Sequence, residues 1–143
     1  MQTTKGMLEK IITQNFPHEH IKYALGYGSA IFKQANYDLQ NKDQVIDMIL
    51  VVDDTLVFHE KNMKANYKHY SYFATRLPPS ITNNLVQNSG SNIYFNPLIP
   101  IQSLQGFQEE KQDLRKIKYG VIGVDKAVED LTMWSNFALA GRL

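Results

Sequence analysis

The sequence predicts an α/β (α+β) domain built on one mixed sheet with flanking helices. Helix-like and strand-like segments alternate along the chain, beginning and ending with a helix. One segment, VIDMILVV (residues 45–52), is β-branched and almost wholly apolar, the pattern of a central strand covered on both faces. The 143 residues, 43% hydrophobic and 20% charged, suit a single globular domain with a core of its own.

Each element has its own signal. Residues 4–15 place Met7, Ile11 and Ile12 at helical spacing, which predicts a first helix stopped by Pro17. IKYALGYGS reads as a strand, and AIFKQANY as a short helix or turn. QVIDMILVV is the strongest strand, with Asp47 planted inside it. DTLVFHEKNMKANYKHYSYFATRL runs without Gly or Pro as far as Pro78, so it predicts one long helix capped by Asp54 or Thr55. SITNNLVQNS predicts a second helix closed by Gly90, and SNIYFNPLIP a strand that Pro97 ends or confines to an edge. The polar run at 102–114 reads as an excursion loop or exposed hairpin. RKIKYGVIGV is a further strand. The last segment, DKAVEDLTMWSNFALAGRL, predicts a helix that starts on an Asp125 cap and runs to the end.

Composition excludes several function classes. Fifteen Lys and Arg against fourteen Asp and Glu leave a net charge of +1, which argues against nucleic-acid binding through bulk charge. The absence of cysteine removes disulfides, thiolate catalysis and Cys-ligated metal centres, and it fits a reducing compartment. The longest apolar run, VIDMILVV, is far shorter than the ~20 residues that span a bilayer. Residues 1–20 show neither a secretory h-region nor transit-peptide character, which points to a bacterial rather than a mitochondrial source.

Chemistry concentrates first at Gly28 and Ser29. A strand ending in Gly-Ser, followed at once by a helix, leaves backbone N–H groups and a hydroxyl free to cradle phosphate oxygens, with glycine permitting close approach. A plain helix cap has the same signature. Eighteen residues beyond Ser29 comes Asp47, a carboxylate in an apolar strand, for which a divalent cation is one partner and a lysine or turn another. This order resembles the nucleotidyltransferase superfamily related to DNA polymerase β, in which the Gly-Ser loop holds a triphosphate and strand carboxylates hold Mg2+. The superfamily's Asp-x-Asp has Ile49 at its second position here. Asp53 and Asp54 lie too far along the strand to replace it, so a second ligand is expected from elsewhere in the fold or from substrate.

A closer resemblance spans residues 27–143. YGSAIFKQ, VIDMILVVDD, FHEKNMKANYKHYS, IYFNP, IKYGVI and DLTMWSNFALAGRL, in this order, resemble the Tam41/Mmp37 family, the mitochondrial-type phosphatidate cytidylyltransferases and their bacterial relatives. The resemblance implies transfer of CMP from CTP to phosphatidic acid, giving CDP-diacylglycerol and pyrophosphate, with Mg2+ as cofactor and peripheral membrane association. It implies a nucleotidyltransferase domain over 1–143, at the cytoplasmic face of a bacterial membrane, or at the matrix side of the mitochondrial inner membrane in a eukaryote. Nucleic acid is not an expected partner, and the oligomeric state, a homodimer included, stays open. Members carry a longer helical C-terminal part, so a C-terminal truncation is expected. Carried over by position, the resemblance points to Gly28, Ser29, Asp47, His59, Asn62, Asn66, His69, Tyr70, Ser71, Tyr94, Asn96, Pro97, Lys118, Tyr119 and Gly120.

Within that set Asp47, Lys118 and His69 are the catalytic candidates, with Asp47 as metal ligand. Gly28, Ser29, His59, Asn62, Asn66, Tyr94 and Asn96 are the nucleotide-binding candidates. His59, Asn62, Asn66 and His69 fall within about 80° of a helix surface, a stripe of hydrogen-bonding groups. It faces either the nucleotide, with Asn62 or Asn66 on base or ribose and His69 near phosphate, or a neighbouring loop. Lys118 suits phosphate binding as a point charge, while Arg115 and Lys116 fit strand-edge protection. Tyr94, Phe95, Tyr119 and Trp134 read as core or pocket wall, and Asp130 as a structural acid or the missing metal ligand. A soluble nucleotidyltransferase acting on a protein or small molecule, and an inactive nucleotide-binding subunit, remain as rival functions.

Overall fold

Strand β2 (Val45–Val52) is central, as its composition predicts. It lies between β1 (Ile21–Tyr27) and β4 (Lys116–Gly123), and β3 (Tyr94–Pro100) closes the four-stranded order β1-β2-β4-β3. The outer pairs are antiparallel and the central β2–β4 pair is parallel, so the sheet is mixed. The computed structural model describes residues 4–28, 45–88, 90, 92–100, 116–136 and 139–142. The readings on Ser29, on the helix or turn that follows it, on the 102–114 loop and on Arg115 lie outside the described residues.

Strand alternation divides the core between two faces. Met48, Leu50 and Val52 point the same way as Tyr119 and Val121, onto Ile11 and Phe16 at helix α1 (Thr4–Asn15) and Phe58 of helix α2 (Thr55–Ala65). Ile49, Val51 and Ile122 point the opposite way. They pack with Leu139 and with Ala127 of α5 (Val124–Met133), and burying aliphatic side chains of this size supplies about 1.5–3 kcal/mol each. Pro97 lies on edge strand β3, where the register slips between Asn96 and Ile99, so its missing N–H disturbs only an irregular stretch.

Two expectations need correction. The 54–77 segment is not one helix. Asp54 caps α2 by accepting from Val57 N (3.0 Å), but α2 ends at Ala65 because Asn66 leaves helical geometry (φ −135°, ψ 50°). Its side chain donates instead to Asn15 O (2.7 Å) and Asn62 Oδ1 (2.8 Å), the local competition that makes asparagine a poor helix interior. A 3-10 turn (Tyr67–His69) follows, then Ser71 caps α3 (Tyr72–Arg76), and α4 (Pro79–Thr82) continues into a π turn at Asn83–Gln87.

The C-terminal segment is likewise not helical to the end. Helix α5 starts on Gly123 rather than Asp125 and stops at Met133, where Trp134 takes the left-handed conformation (φ 54°). The buried Asp130 carboxylate then accepts from the backbone N–H groups of Asn136 (2.8 Å), Leu139 (2.7 Å) and Ala140 (3.1 Å), holding a return turn in place of further helix. Asp130 is therefore a structural acid, and Trp134, 61% exposed, is neither core nor pocket wall.

Candidate functional site

The candidate residues divide between the two faces of the sheet. On the α2 face a polar cluster is wired with a definite sense. Gln87 donates its amide to Asn92 O (2.6 Å) and Val121 O (2.8 Å), which turns its carbonyl toward His59 Nε2 (2.8 Å). His59 must then carry its proton on Nε2, so Nδ1 accepts from the Tyr70 hydroxyl (2.9 Å). Asn62 Nδ2 donates to both the Tyr70 and Tyr119 hydroxyls (2.9 Å each), and Asn96 Nδ2 donates to Tyr119 as well (2.9 Å). With its oxygen accepting twice, Tyr119 gives its own proton to His69 Nδ1 (3.0 Å). Asn66 joins through Asn62 Oδ1.

This cluster is inside the protein. His59 and Asn62 have no exposed surface and Asn96 has 1%, while Tyr94 packs edge-on against His59 with ring centroids 5.0 Å apart. Burial keeps both imidazoles neutral: it lowers the pKa of His59, and it pushes His69 down to about 4. It raises the hydroxyls of Tyr70, Tyr94 and Tyr119. The predicted stripe of His59, Asn62, Asn66 and His69 does converge, although only the first two lie within α2. It converges on tyrosines of the sheet and of the turn after α2.

The α5 face carries the charges. Asp47 pairs in register with Tyr27 on one side and with Lys118 on the other, so the three sit side by side across β1, β2 and β4 at one end of the sheet. Gly28 follows directly, with φ +82°, and a Cβ there would stand 3.2 Å from Asp47 Oδ2. The glycine thus serves both the left-handed turn and the close approach. Asp47 and Lys118 are half-buried, and among the described residues no hydrogen bond or ion pair engages the Asp47 carboxylate. The Lys118 ammonium lies 5.2 Å from the centroid of the Phe95 ring, and the Arg142 guanidinium lies 5.2 Å from the same ring. Phe95 reaches this position because β4 has no side chain at Gly120, where a Cβ would come within 2.8 Å of Phe95 Cε1 and of Ile93 Cγ2. The Tyr27 hydroxyl is shifted upward, first by burial and then by the Asp47 charge, and hydrogen bonding to Arg142 opposes both.

The structure therefore brings Gly28, Asp47 and Lys118 together and sets His59, Asn62, Asn66, His69, Tyr94 and Asn96 behind the sheet. Tyr27 and Arg142 were absent from the sequence-derived set, and Phe95 entered it only as wall. The other acids at the end of β2 have partners of their own: Asp54 caps α2, and Asp53 pairs with His20 (3.1 Å) and Lys22 (3.4 Å). Among the described residues no group of three His, Cys, Asp or Glu side chains is placed to cage a metal, and no helix is long and apolar enough to cross a membrane.

A mixed sheet flanked by helices, with a glycine turn, a carboxylate and a lysine meeting at one end, defines an α/β protein with an accessible charged site. The family profile described as "Phosphatidate cytidylyltransferase, mitochondrial" matches residues 8–143, and the chain belongs to this Tam41/Mmp37 family. Relatives bearing the same description include a mouse protein, 38% identical over 98% of this chain and 38% of its own length. A human protein is 36% identical over the whole chain and 28% of its own length, and a fission-yeast protein 33% identical over 96% and 31%. The chain thus spans 28–38% of the length of these curated relatives.

Proposed function

We propose that the protein transfers CMP from CTP to phosphatidate, giving CDP-diacylglycerol and pyrophosphate, on a nucleotidyltransferase-type fold. The observation that carries this reading is the side-by-side position of Asp47 and Lys118 across the parallel β2–β4 pair, with Gly28 against the carboxylate. Family membership supplies the substrates, since the relatives are described as phosphatidate cytidylyltransferases.

The donor set fits Mg2+ shared with substrate. Magnesium takes one or two carboxylates and completes its shell with phosphate oxygens and water. Asp47 is a half-buried carboxylate without a hydrogen bond among the described residues, whereas Ile49, two positions on, is fully buried and apolar. Asp47 would hold the ion, whose chemistry when bound is to neutralise triphosphate charge. Lys118 adds a point charge for the same phosphates and Gly28 lets them approach the strand end. The phosphatidate phosphate is already ionised near neutral pH, so no base is needed. Its oxygen forms a bond to the α-phosphorus as the bond to the β-phosphate oxygen breaks, and pyrophosphate leaves with the electron pair. The α2-face cluster belongs to the fold: it holds Tyr119 from behind while its neighbours Lys118 and Gly120 face the site.

Lipid as acceptor places the reaction at a membrane surface, on the mitochondrial inner membrane or a bacterial cell membrane according to source. The test is conversion of radiolabelled CTP with phosphatidate vesicles, with and without EDTA. CDP-diacylglycerol that requires both phosphatidate and divalent cation is the expected result. Turnover on a soluble acceptor without lipid overturns the assignment in favour of the soluble transferase, and CTP binding without turnover in favour of an inactive subunit.

A further inference from the structure

We propose that Tyr72, Phe73, Leu77 and Ile81 form an interfacial anchor that seats the chain on an anionic bilayer, with Lys68 and Arg76 meeting the lipid headgroups. The inference goes beyond the transfer reading, which does not say what part of the chain touches a membrane, and it stands on exposure and charge. Helices α3 and α4 are fastened to the body by small inward groups. Ala74 packs with Tyr70 and with Tyr94 of edge strand β3, and Thr82 donates its hydroxyl to Ala74 O (3.3 Å). What these turns present outward is apolar. Tyr72 is 66% exposed, Phe73 79%, Leu77 42% and Ile81 40%, and the rings of Tyr72 and Phe73 meet edge to face with centroids 6.0 Å apart. Single exposed apolar residues are ordinary, but four within one short stretch, two of them aromatic, make a patch of the kind that marks an interaction site.

The charge around the patch identifies the partner. The chain has fourteen Asp and Glu, yet none lies between Glu60 and Glu109. Arg76 holds its guanidinium over the Tyr72 ring, 4.8 Å from the centroid, and the Lys68 ammonium lies 5.9 Å from the ring of Tyr67, which is itself exposed. Lys61 and Lys64 have carboxylate partners in Glu19 and Glu60, whereas among the described residues no carboxylate pairs with Lys68 or Arg76. The centre of a protein interface is depleted of charge. A lipid surface takes cations and rings together: apolar side chains enter the acyl boundary, the tyrosine hydroxyls stay at headgroup level, and Lys and Arg extend to anionic phosphates. The mixture of aromatic rings and unopposed cations over 67–81 fits the lipid surface.

The experiment is co-sedimentation of the chain with phosphatidylcholine vesicles, with and without a fixed fraction of phosphatidate, at low salt. Wild type should sediment with the anionic vesicles and far less with phosphatidylcholine alone. Phe73→Ser should lower the partition coefficient by about tenfold, the effect of withdrawing one large apolar side chain from an apolar phase. Arg76→Gln should lower it by about fivefold, and Arg76→Lys should keep most of the binding. Tyr23→Ser is the control, because Tyr23 is 68% exposed on β1, the opposite edge strand, and its loss should leave sedimentation unchanged. These side chains are all exposed, so the variants should fold, as circular dichroism checks. Phe73→Ser that sediments like wild type overturns the proposal, and so does Tyr23→Ser that loses as much, since binding would then be general adhesion. A wild-type dimer that Phe73→Ser converts to a monomer overturns it in favour of a protein interface. Vesicle binding that Phe73→Ser abolishes, in a protein that makes no CDP-diacylglycerol, upholds the anchor and overturns the transfer reading instead.

Discussion

On the α2 face, His59, Asn62, Asn96 and His69 converge on the hydroxyls of Tyr70 and Tyr119, and none of that cluster's buried side-chain polar atoms lacks a partner. On the α5 face, Asp47 and Lys118 stand half-buried side by side in register, and no ion pair joins the carboxylate to the lysine. A sheet one side chain thick separates the two. The difference is one of saturation: a closed network has spent its hydrogen-bonding capacity on the fold, whereas an open cluster of charges holds capacity for something that arrives. Substitutions on the open face should change chemistry and spare stability, and those on the closed face should do the reverse.

The sharpest test is Asp47→Ala. It should lower turnover by at least about a hundredfold while the thermal midpoint without Mg2+ holds or rises, because no internal partner is orphaned. Near-wild-type turnover would break the open-face assignment. Lys118→Ala should lower the rate by about 10- to 100-fold and Lys118→Arg should restore only part of it, measured at saturating CTP with the fold checked by circular dichroism.

Tyr119→Phe tests the other face. It strands the Asn62 and Asn96 amides and the His69 acceptor in the interior, so it should cost roughly 2–4 kcal/mol in urea unfolding and leave CTP affinity of the folded fraction within about twofold. A large loss of affinity at unchanged stability would move the network into the binding site. A smaller effect concerns pH. His69 is held at about 4 by burial against an unfolded value near 6.5, so below about 6.5 the unfolded state takes up a proton that the native state refuses. Stability is complete above that point and should fall as pH drops toward 4, by on the order of 2 kcal/mol once the half-burial of His69 is discounted. His69→Gln should flatten this slope. Denaturation curves at pH 7.5 and 4.5 for both proteins decide it.

The smallest expected change is in Gly28→Ala. A left-handed backbone with a side chain costs roughly 1–2 kcal/mol, and the methyl displaces the Asp47 carboxylate from 3.2 Å. Stability should fall by that amount, with activity falling more steeply than stability. Equal falls would leave Gly28 a turn residue only.

The central strand, the edge position of Pro97 and the convergence of His59, Asn62, Asn66 and His69 were legible in composition and spacing. Their placement relative to Asp47 was half legible. Neighbours on a strand face opposite ways, so Lys118 and Tyr119 cannot serve the same side of the sheet, and alternation alone divides a list that a resemblance presents as one site. The partner of each face was hidden. Register between β2 and β4 is a long-range property, and no local pattern announces that Asp47 meets Lys118. The break at Asn66 was masked because helical spacing of polar residues continues through it. Arg142 was out of reach for a related reason: its position depends on Asp130 collecting backbone donors from a turn, although Ser135, Asn136 and Gly141 were breakers that argued against an unbroken helix.

The parallel join of β2 and β4 has a consequence for how the protein acquires its function. Antiparallel β1–β2 contacts close early, since their partners are near in sequence, whereas β2 and β4 are separated by every element from α2 to β3 and their pairing is the longest closure among the strand pairs of the sheet. Asp47 and Lys118 are a register pair of that closure, so the site comes into being when the longest-range strand pairing forms. Any molecule that bridges the two residues binds the finished fold and no precursor of it. Nucleotide should therefore slow unfolding and leave the early hairpin step untouched, acting as a latch on completed chains.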